Sequence, residues 1–355
     1  MKLSNKIFNP NNIYFSQLKI RRMSKIAFLF LTRNNVHHPK IWEHYFKGHK
    51  SKISIYCHPK EPEKVTVDWQ KKHIIPNLVE TGWGFITGAY FELLEEAFKD
   101  PRNMKFITIS ESCVPLVCFQ KMYDFICNPK KEKVSYIKKM DISKYDWGAR
   151  IKTQSNFEQY QFFKHYARFC LSRYHVEKLL SQHQHFSSFF NNMHVGDEFF
   201  LSLLHPRDHV EDKMITYDNW TDVQKEVSQI KQQIATIMSE AEKREIRKIN
   251  NKIRKISKKN RVAKGKLTLK IRILEERKKM IENPRKFDNS LLSPKKKKSL
   301  DKLKQLRDDK NKNPKTYEHI NELDVKLARQ SGAFFWRKMD PKCNISEFED
   351  KLLEC

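Results

Sequence analysis

Two charged doublets carry most of the chemistry legible in this chain. Asp197-Glu198 precedes the apolar stretch Phe199–Leu204. A carboxylate at the edge of a buried segment can be held rigidly and partly desolvated, which raises its basicity. Such a carboxylate could serve as a general base, Glu198 or its neighbour Asp197. On the residues alone capping is the commoner reading, because acids favour the first turn of a helix. The second doublet, Arg337-Lys338, follows the aromatic run Phe334-Phe335-Trp336. Cations anchored beside a buried segment can neutralise phosphate oxygens, the work a divalent metal does elsewhere. Arg329 lies one segment upstream and could join them; surface cations of a basic protein are the plain alternative.

Three further groups have chemical potential. Ser110-Glu111-Ser112-Cys113 follows the apolar run Lys105–Ile109. Cys113 has no histidine partner placed by the sequence, so it reads as a loop residue, not a nucleophile. Trp83 could pack near a nucleotide, with a core tryptophan the commoner reading. His183 and His185, with His194 nearby, could suggest a metal, but solvated or core histidines explain them more simply. No metal site is expected.

Positioning these groups requires a scaffold. Lys25–Leu31 is an apolar run closed by Thr32-Arg33-Asn34-Asn35, the pattern of a buried strand ending in a polar loop. Pro39–Phe46 spaces its apolar residues as a helix does. Lys52–Cys57 is a second strand, Phe85–Phe98 an amphipathic helix, Lys105–Ile109 a third strand and Phe119–Ile126 another helix. Strand and helix in alternation predict an α/β domain with a mostly parallel sheet. Ligands of such sheets sit beyond the carboxyl ends of the strands, which places Thr32, Arg33 and the Ser110–Pro115 loop at a site. Further on, Val176–Leu180 is read as helical, Phe199–Leu204 as a buried helix and Met214–Tyr217 as a short strand.

Residues 221–311 differ. They hold 29 Lys and Arg against 12 Asp and Glu, so +17 of the chain's net +28 sits there. Val227, Ile230, Ile234 and Ile237, then Ile246, Ile249, Ile253 and Ile256, repeat at three- and four-residue spacing, as in a coiled-coil helix. The break at Asn283-Pro284 and a second basic helix from about Pro294 predict a helical hairpin. Such a segment is suited to oligomerisation or to contact with an anionic surface. With almost no aromatic residue for base stacking, nucleic-acid binding is the lesser alternative. Residues 1–22 read as a basic arm. The seven cysteines lack metal-ligand spacing and are expected to be mostly free thiols in a reducing, cytoplasmic compartment. No apolar stretch is long enough to span a bilayer.

Several segments, in order, resemble the core-2/I-branching glycosyltransferase family, its plant and giant-virus branches in particular. They are KIAFLFLTRNN at 25–35, SIYCHP at 54–59, Trp83-Gly84, FITISESCVPL at 106–116, HVGDEFFLSLL at 194–204, ITYDNW at 215–220, NPKTY at 313–317 and FFWRKMDPKC at 334–343. The last pieces are neighbours in the family, so 221–311 is read as an insertion. The expected layout is thus a basic arm (1–22), a glycosyltransferase core (23–220), the helical insertion (221–311) and a return to the core (312–355). Phe162–Arg173 resembles the family's acceptor-side segment only loosely and lacks the tryptophan usual there.

The resemblance implies a GT-A-like, Rossmann-type nucleotide-sugar domain with a mixed sheet. It also implies an inverting, metal-independent transfer of a GlcNAc or xylose-like sugar from a UDP-sugar to a glycan or protein hydroxyl. Glu198 matches the family's base and Lys338 its diphosphate contact. Arg337, Arg329, Thr32, Arg33, Ser110, Glu111, Ser112, Cys113 and Trp83 are implied around the donor, with no cofactor besides the donor itself. The alternatives are a catalytically retired scaffold and phosphate-backbone binding through the basic segment.

Overall fold

A computed structural model of the chain describes residues 24–140, 163–193, 195–204, 208–259, 274–275, 277–278, 292–310 and 314–355. The arm 1–22, His194, Phe162 and Asn313 lie outside the described residues. The chain divides into two compact units, Met1–Asp218 with Thr316–Cys355, and Asn219–Lys315.

The first unit is built around β1 (Lys25–Thr32), almost every residue of which is buried. Its side chains alternate between two cores, as a pleated strand requires. Ile26, Phe28 and Phe30 meet Trp42, Tyr45 and Phe46 of α1 (Pro39–Phe46). Ala27 and Leu29 meet Tyr90, Phe91, Leu93 and Leu94 of α2 (Thr87–Phe98). A strand covered on both faces must be apolar throughout, which is why β1 is a continuous hydrophobic run. It pairs in parallel with β2 (Ile53–Pro59) on one side and β3 (Asn103–Ser110) on the other.

The expected mostly parallel sheet stops there. Beyond β3 lies antiparallel β8 (Cys170–Ser172), then β5 (Ser135–Tyr136) and β9 (Val210–Glu211). The sheet is therefore mixed. β8 leads directly into α4 (Arg173–Asn192), whose start is capped by Ser172 accepting from the His175 backbone N–H. On the other face, α3 (Phe119–Ile126) packs against the first core.

A second, three-stranded sheet assembles distant segments: β10 (Thr216–Asp218), β11 (Phe335–Arg337) and β4 (Val114–Pro115). β11 runs parallel to β10 and antiparallel to β4, with Asp218 opposite Arg337 and Val114 opposite Trp336. A two-stranded ribbon pairs β6 (Lys139–Met140) with β7 (Lys164–His165).

Other expectations shift on inspection. The buried helix expected over Phe199–Leu204 is instead a pair of 3₁₀ turns, Gly196–Glu198 and Phe200–Leu203. Five cysteines are free, but Cys118 and Cys355 form a disulfide. Their separation of 237 residues hid the pairing, because it arises only when the C-terminal segment folds against the start of α3.

In the second unit, α5 (Thr221–Lys259) and α6 (Pro294–Lys310) pack through Ile230, Ile234 and Ala241 against Leu300, with Leu292, just before α6, in the same cluster. Lys296 reaches Glu240 at 3.2 Å. Leu303 shares a groove with Gln229, Gln232 and Thr236, so the two helices run in opposite directions. Among the described residues no helix is long and apolar enough to cross a membrane.

Candidate active site

The loops at the carboxyl ends of β1 and β3 are locked together by Glu111. Its carboxylate accepts from the Arg33 backbone N–H at 3.1 Å, and its carbonyl accepts from the His37 N–H at 2.8 Å. Thr32 is buried, donating to the Asn34 carbonyl and accepting from Gln70 Nε2. The Arg33 side chain is exposed, 3.5 Å from Glu61. Ser110, Ser112 and Cys113 are buried, with Ser110 Oγ 3.2 Å from Cys113 Sγ.

The segment after β11 is laced to both loops. Met339 N–H donates to the Ser112 carbonyl at 2.9 Å, and His37 Nδ1 donates to the Met339 carbonyl at 2.7 Å. These bonds hold Lys338 beside Glu111. Lys338 is half-buried; burial lowers its pKa, Arg337 lowers it further, and Glu111 and Asp218 oppose. Arg337 Nη1 lies 3.3 Å from both carboxylate oxygens of buried Asp218.

The acid pair is held by a strained turn. Val195 has φ +57°, a left-handed conformation that a β-branched residue adopts only under constraint. Its N–H donates to the Gly84 carbonyl at 2.6 Å, tying the turn to the Trp83-Gly84 corner. Gly196 is packed so closely that a Cβ there would lie 2.3 Å from the Phe190 carbonyl oxygen and 3.0 Å from Thr87 Oγ1. Asp197 is only 6% exposed, and its Oδ1 is buried without a partner. Burial pushes its pKa up to about 6, the neighbouring Glu198 adding to the rise and Arg168 opposing it. Glu198 is more open and lies 2.8 Å from Lys164 Nζ. Both acids stand in the first turn of the Gly196–Glu198 3₁₀ segment, and no side chain there makes a cap hydrogen bond.

Arg168 links the two halves, and the sequence reading did not single it out. Its Nη1 donates to Tyr90 Oη at 2.6 Å and to the Ala167 carbonyl at 2.9 Å, while its Nε is buried without a partner. Burial works against its charge. Tyr90, Cys113, Asp218 and Asp197 more than offset that. The acid turn and the β10–β11 pair thus act on one guanidinium. The available signal was an arginine set between Tyr166-Ala167 and Phe169-Cys170-Leu171.

The remaining expected residues are elsewhere or differently placed. Arg329, on α7 (Glu322–Gln330), is engaged by the C-terminal segment, 2.5 Å from both the Lys351 carbonyl and Glu354. Trp83 is 62% exposed, which rules out the core reading; it stands on a tight turn where Gly84 takes φ +78°. His183 stacks on Phe91 with ring centroids 4.0 Å apart, and burial lowers its pKa. His185 is exposed. Among the described residues, no three His, Cys, Asp or Glu side chains gather as a metal site.

The profile of the Core-2/I-Branching enzyme family matches residues 26–250, more than half of the chain. This protein belongs to that family. It is also similar to a rice (Oryza sativa subsp. japonica) protein described as Glycosyltransferase BC10, with 33% identity over 111 residues, 29% of this chain. The match spans 28% of that relative's length. Arg337 and Lys338 lie beyond the family match, and it is the fold that returns them to the strand ends.

Proposed function

We propose that the protein is an inverting glycosyltransferase that moves a GlcNAc or xylose-like sugar from a UDP-sugar to an acceptor hydroxyl without a metal. Family membership and the rice relative support glycosyl transfer. The observation that carries the fuller reading is that Arg168 bonds Tyr90 of α2, whose Thr87 lies against Gly196 of the acid turn, while its own segment bonds to β3, whose loop holds the Lys338 segment through Ser112 and Met339. A base for the acceptor and positive charge for the departing diphosphate are the two requirements of inverting transfer.

In this reading Glu198 takes the proton of the acceptor hydroxyl as its oxygen attacks the anomeric carbon. Its partial exposure lets an acceptor reach it, whereas Asp197 is sealed off and holds the turn. An acceptor hydroxyl approaching Glu198 displaces or shares the Lys164 contact. Lys338 and Arg337 meet the diphosphate, and Glu111 and Asp218 keep those cations oriented. The exposed face of Trp83, on the corner that holds the acid turn, is a platform for substrate.

The test is a panel of UDP-sugars with Glu198→Gln and Lys338→Ala. Glu198→Gln should abolish transfer while UDP still binds, general-base loss being worth roughly 10²–10⁴-fold. Turnover retained in that variant refutes the base assignment. Activity should persist in EDTA, and a strict manganese requirement would contradict the metal-free reaction.

A further inference from the structure

The two adjacent cations legible in the sequence are joined by a third from another element. Residues 167–169 run beside the end of β3. Thr108 N–H donates to the Phe169 carbonyl at 3.1 Å, Phe169 N–H to Thr108 Oγ1 at 3.0 Å, and Thr108 Oγ1 to the Ala167 carbonyl at 3.4 Å. These bonds hold Arg168 near the carboxyl edge of the parallel strands, where α/β sheets bind ligands. A guanidinium has five N–H donors. Those on Nη1 go to Tyr90 and Ala167, and the Nε donor is buried and unmatched. Arg337 Nε is buried and unmatched as well.

Arg168 is tied beside Thr108 of β3 and the Arg337-Lys338 segment is bonded through Met339 to Ser112, four residues on, so three cations collect at this strand end although they repel one another. Arg337 and Arg168 both disfavour the charge on Lys338, and both act on the Tyr90 hydroxyl. Asp218 and Glu111 offset part of that. Gathering like charges in a partly desolvated place is costly unless an anion completes it. No single segment supplies the cluster, because Arg168 comes from beside β3 and the other two from the end of β11.

We propose that Arg168 is the third cation of the donor site, contacting the β-phosphate oxygen that departs with UDP. The inference rests on the glycosyl-transfer reading above. As the acceptor oxygen bonds to the anomeric carbon, the bond from that carbon to the β-phosphate oxygen breaks. Its electron pair stays on that oxygen, and the acceptor proton passes to Glu198. Arg168 bonds Tyr90 of α2, the helix whose Thr87 lies against the acid turn, so in this proposal it meets charge as it develops, and the adjacent pair holds the diphosphate already bound. A charge-assisted, pre-positioned donor of this kind acts on the departing group more strongly than on the ground state.

Calorimetric binding of UDP and uridine to the full chain tests this, alongside single-turnover kinetics. Arg168→Gln should weaken UDP at least tenfold, leave uridine within twofold of wild type and slow turnover more than binding alone explains. Arg168→Lys keeps the charge but not the Tyr90–Ala167 geometry, and should hold UDP within threefold of wild type. Equal losses in both variants, with a lowered melting temperature, would make Arg168 a structural tie to Tyr90 and overturn the proposal. If Arg168→Gln does not fold, the lysine variant decides: a tenfold loss of UDP affinity in it also overturns the proposal. If Lys338→Ala weakens UDP and Arg168→Gln does not, the Arg168 assignment alone fails. If the wild type binds no UDP, the glycosyl-transfer reading fails with it.

Discussion

Asp218 and Arg337 stand opposite each other on the parallel pair β10–β11, with guanidinium Nη1 3.3 Å from both carboxylate oxygens. Asp218 exposes only 4% of its side chain and Arg337 only 20%. Removing one member of such a pair strands the other in a poorly solvated place, at a cost of about 3–5 kcal/mol. Asp218→Ala should therefore lower stability by that order in urea unfolding, and should displace Lys338 enough to weaken UDP. Arg337→Met with Asp218→Leu should recover much of the stability but none of the binding. A loss below about 1 kcal/mol for Asp218→Ala would mean the pair behaves as an exposed one.

Asp197 predicts an unusual pH signature. Its folded-state pKa is raised to about 6, above the ordinary carboxylate value, chiefly by burial and next by Glu198. The folded state therefore binds more protons than the unfolded state between about pH 4 and 6. Stability from this group is fully present below the unfolded pKa and is lost as pH rises through 6. A rise of that size corresponds to roughly 3 kcal/mol. Asp197→Asn cannot ionise, so its melting temperature relative to wild type should climb between pH 4.5 and 7.5. A pH-independent difference would show that Asp197 titrates normally. Retaining a destabilising buried carboxylate is the kind of cost functional sites carry.

Gly196 was not legible as a constraint, because nothing in the sequence says that the end of α4 and the start of α2 converge on it. Gly196→Ala sets a Cβ 2.3 Å from a backbone oxygen, which cannot swing aside as a side chain would. The acid turn must shift. The expected result is a loss of about 1–3 kcal/mol from overpacking and a fall in turnover larger than the stability loss explains. Wild-type turnover in that variant would show that the turn tolerates displacement.

What the sequence made legible follows from local physics. β1 could be read because a strand buried on both faces has to be apolar throughout. α1 and α3 could be read because their apolar spacing is strong, and both span the expected residues. The Phe199–Leu204 stretch misled because it is apolar on every side, a pattern shared by buried helices and buried turns. Its strained entry at Val195 comes from the hydrogen bond to Gly84, a tertiary contact. Glu198 and Lys338 stood out through the family resemblance, but Arg168 did not. The role proposed for it depends on Tyr90, Asp197 and Asp218, which are widely separated in the chain. Arg329 looked like a phosphate ligand by proximity to Lys338 in sequence, yet on α7 its side chain bonds the C-terminal segment at Lys351 and Glu354.

Trp83 should separate function from stability. With 62% of its surface exposed, it contributes little burial, so Trp83→Ala should change the melting temperature by less than about 2 °C, the order of a surface substitution. Because Gly84 beside it holds the acid turn, the same variant should raise the KM for donor or acceptor severalfold with little change in UDP affinity. Unchanged kinetics would leave Trp83 as surface only.

The Cys118–Cys355 bond ties the C-terminal segment to the residue preceding α3 across 237 residues of chain. That segment also holds Arg329 through Glu354 and Lys351, and Cys118 N–H donates to the Glu354 carbonyl. In chain-entropy terms a closed loop of this length restricts the unfolded state by roughly 5 kcal/mol, an upper figure since unfolded chains retain structure. Cys355→Ser should therefore lower the melting temperature by several degrees. It should leave UDP affinity within twofold, because Lys338 is held separately through Met339, Ser112 and His37. Dithiothreitol should reproduce the shift in wild type and have no effect on the variant. Equal melting temperatures with and without reductant would show that the two thiols are not joined in solution. A fall in UDP affinity in parallel with stability would mean that the cation cluster depends on the C-terminal tie, and not on the loops after β1 and β3.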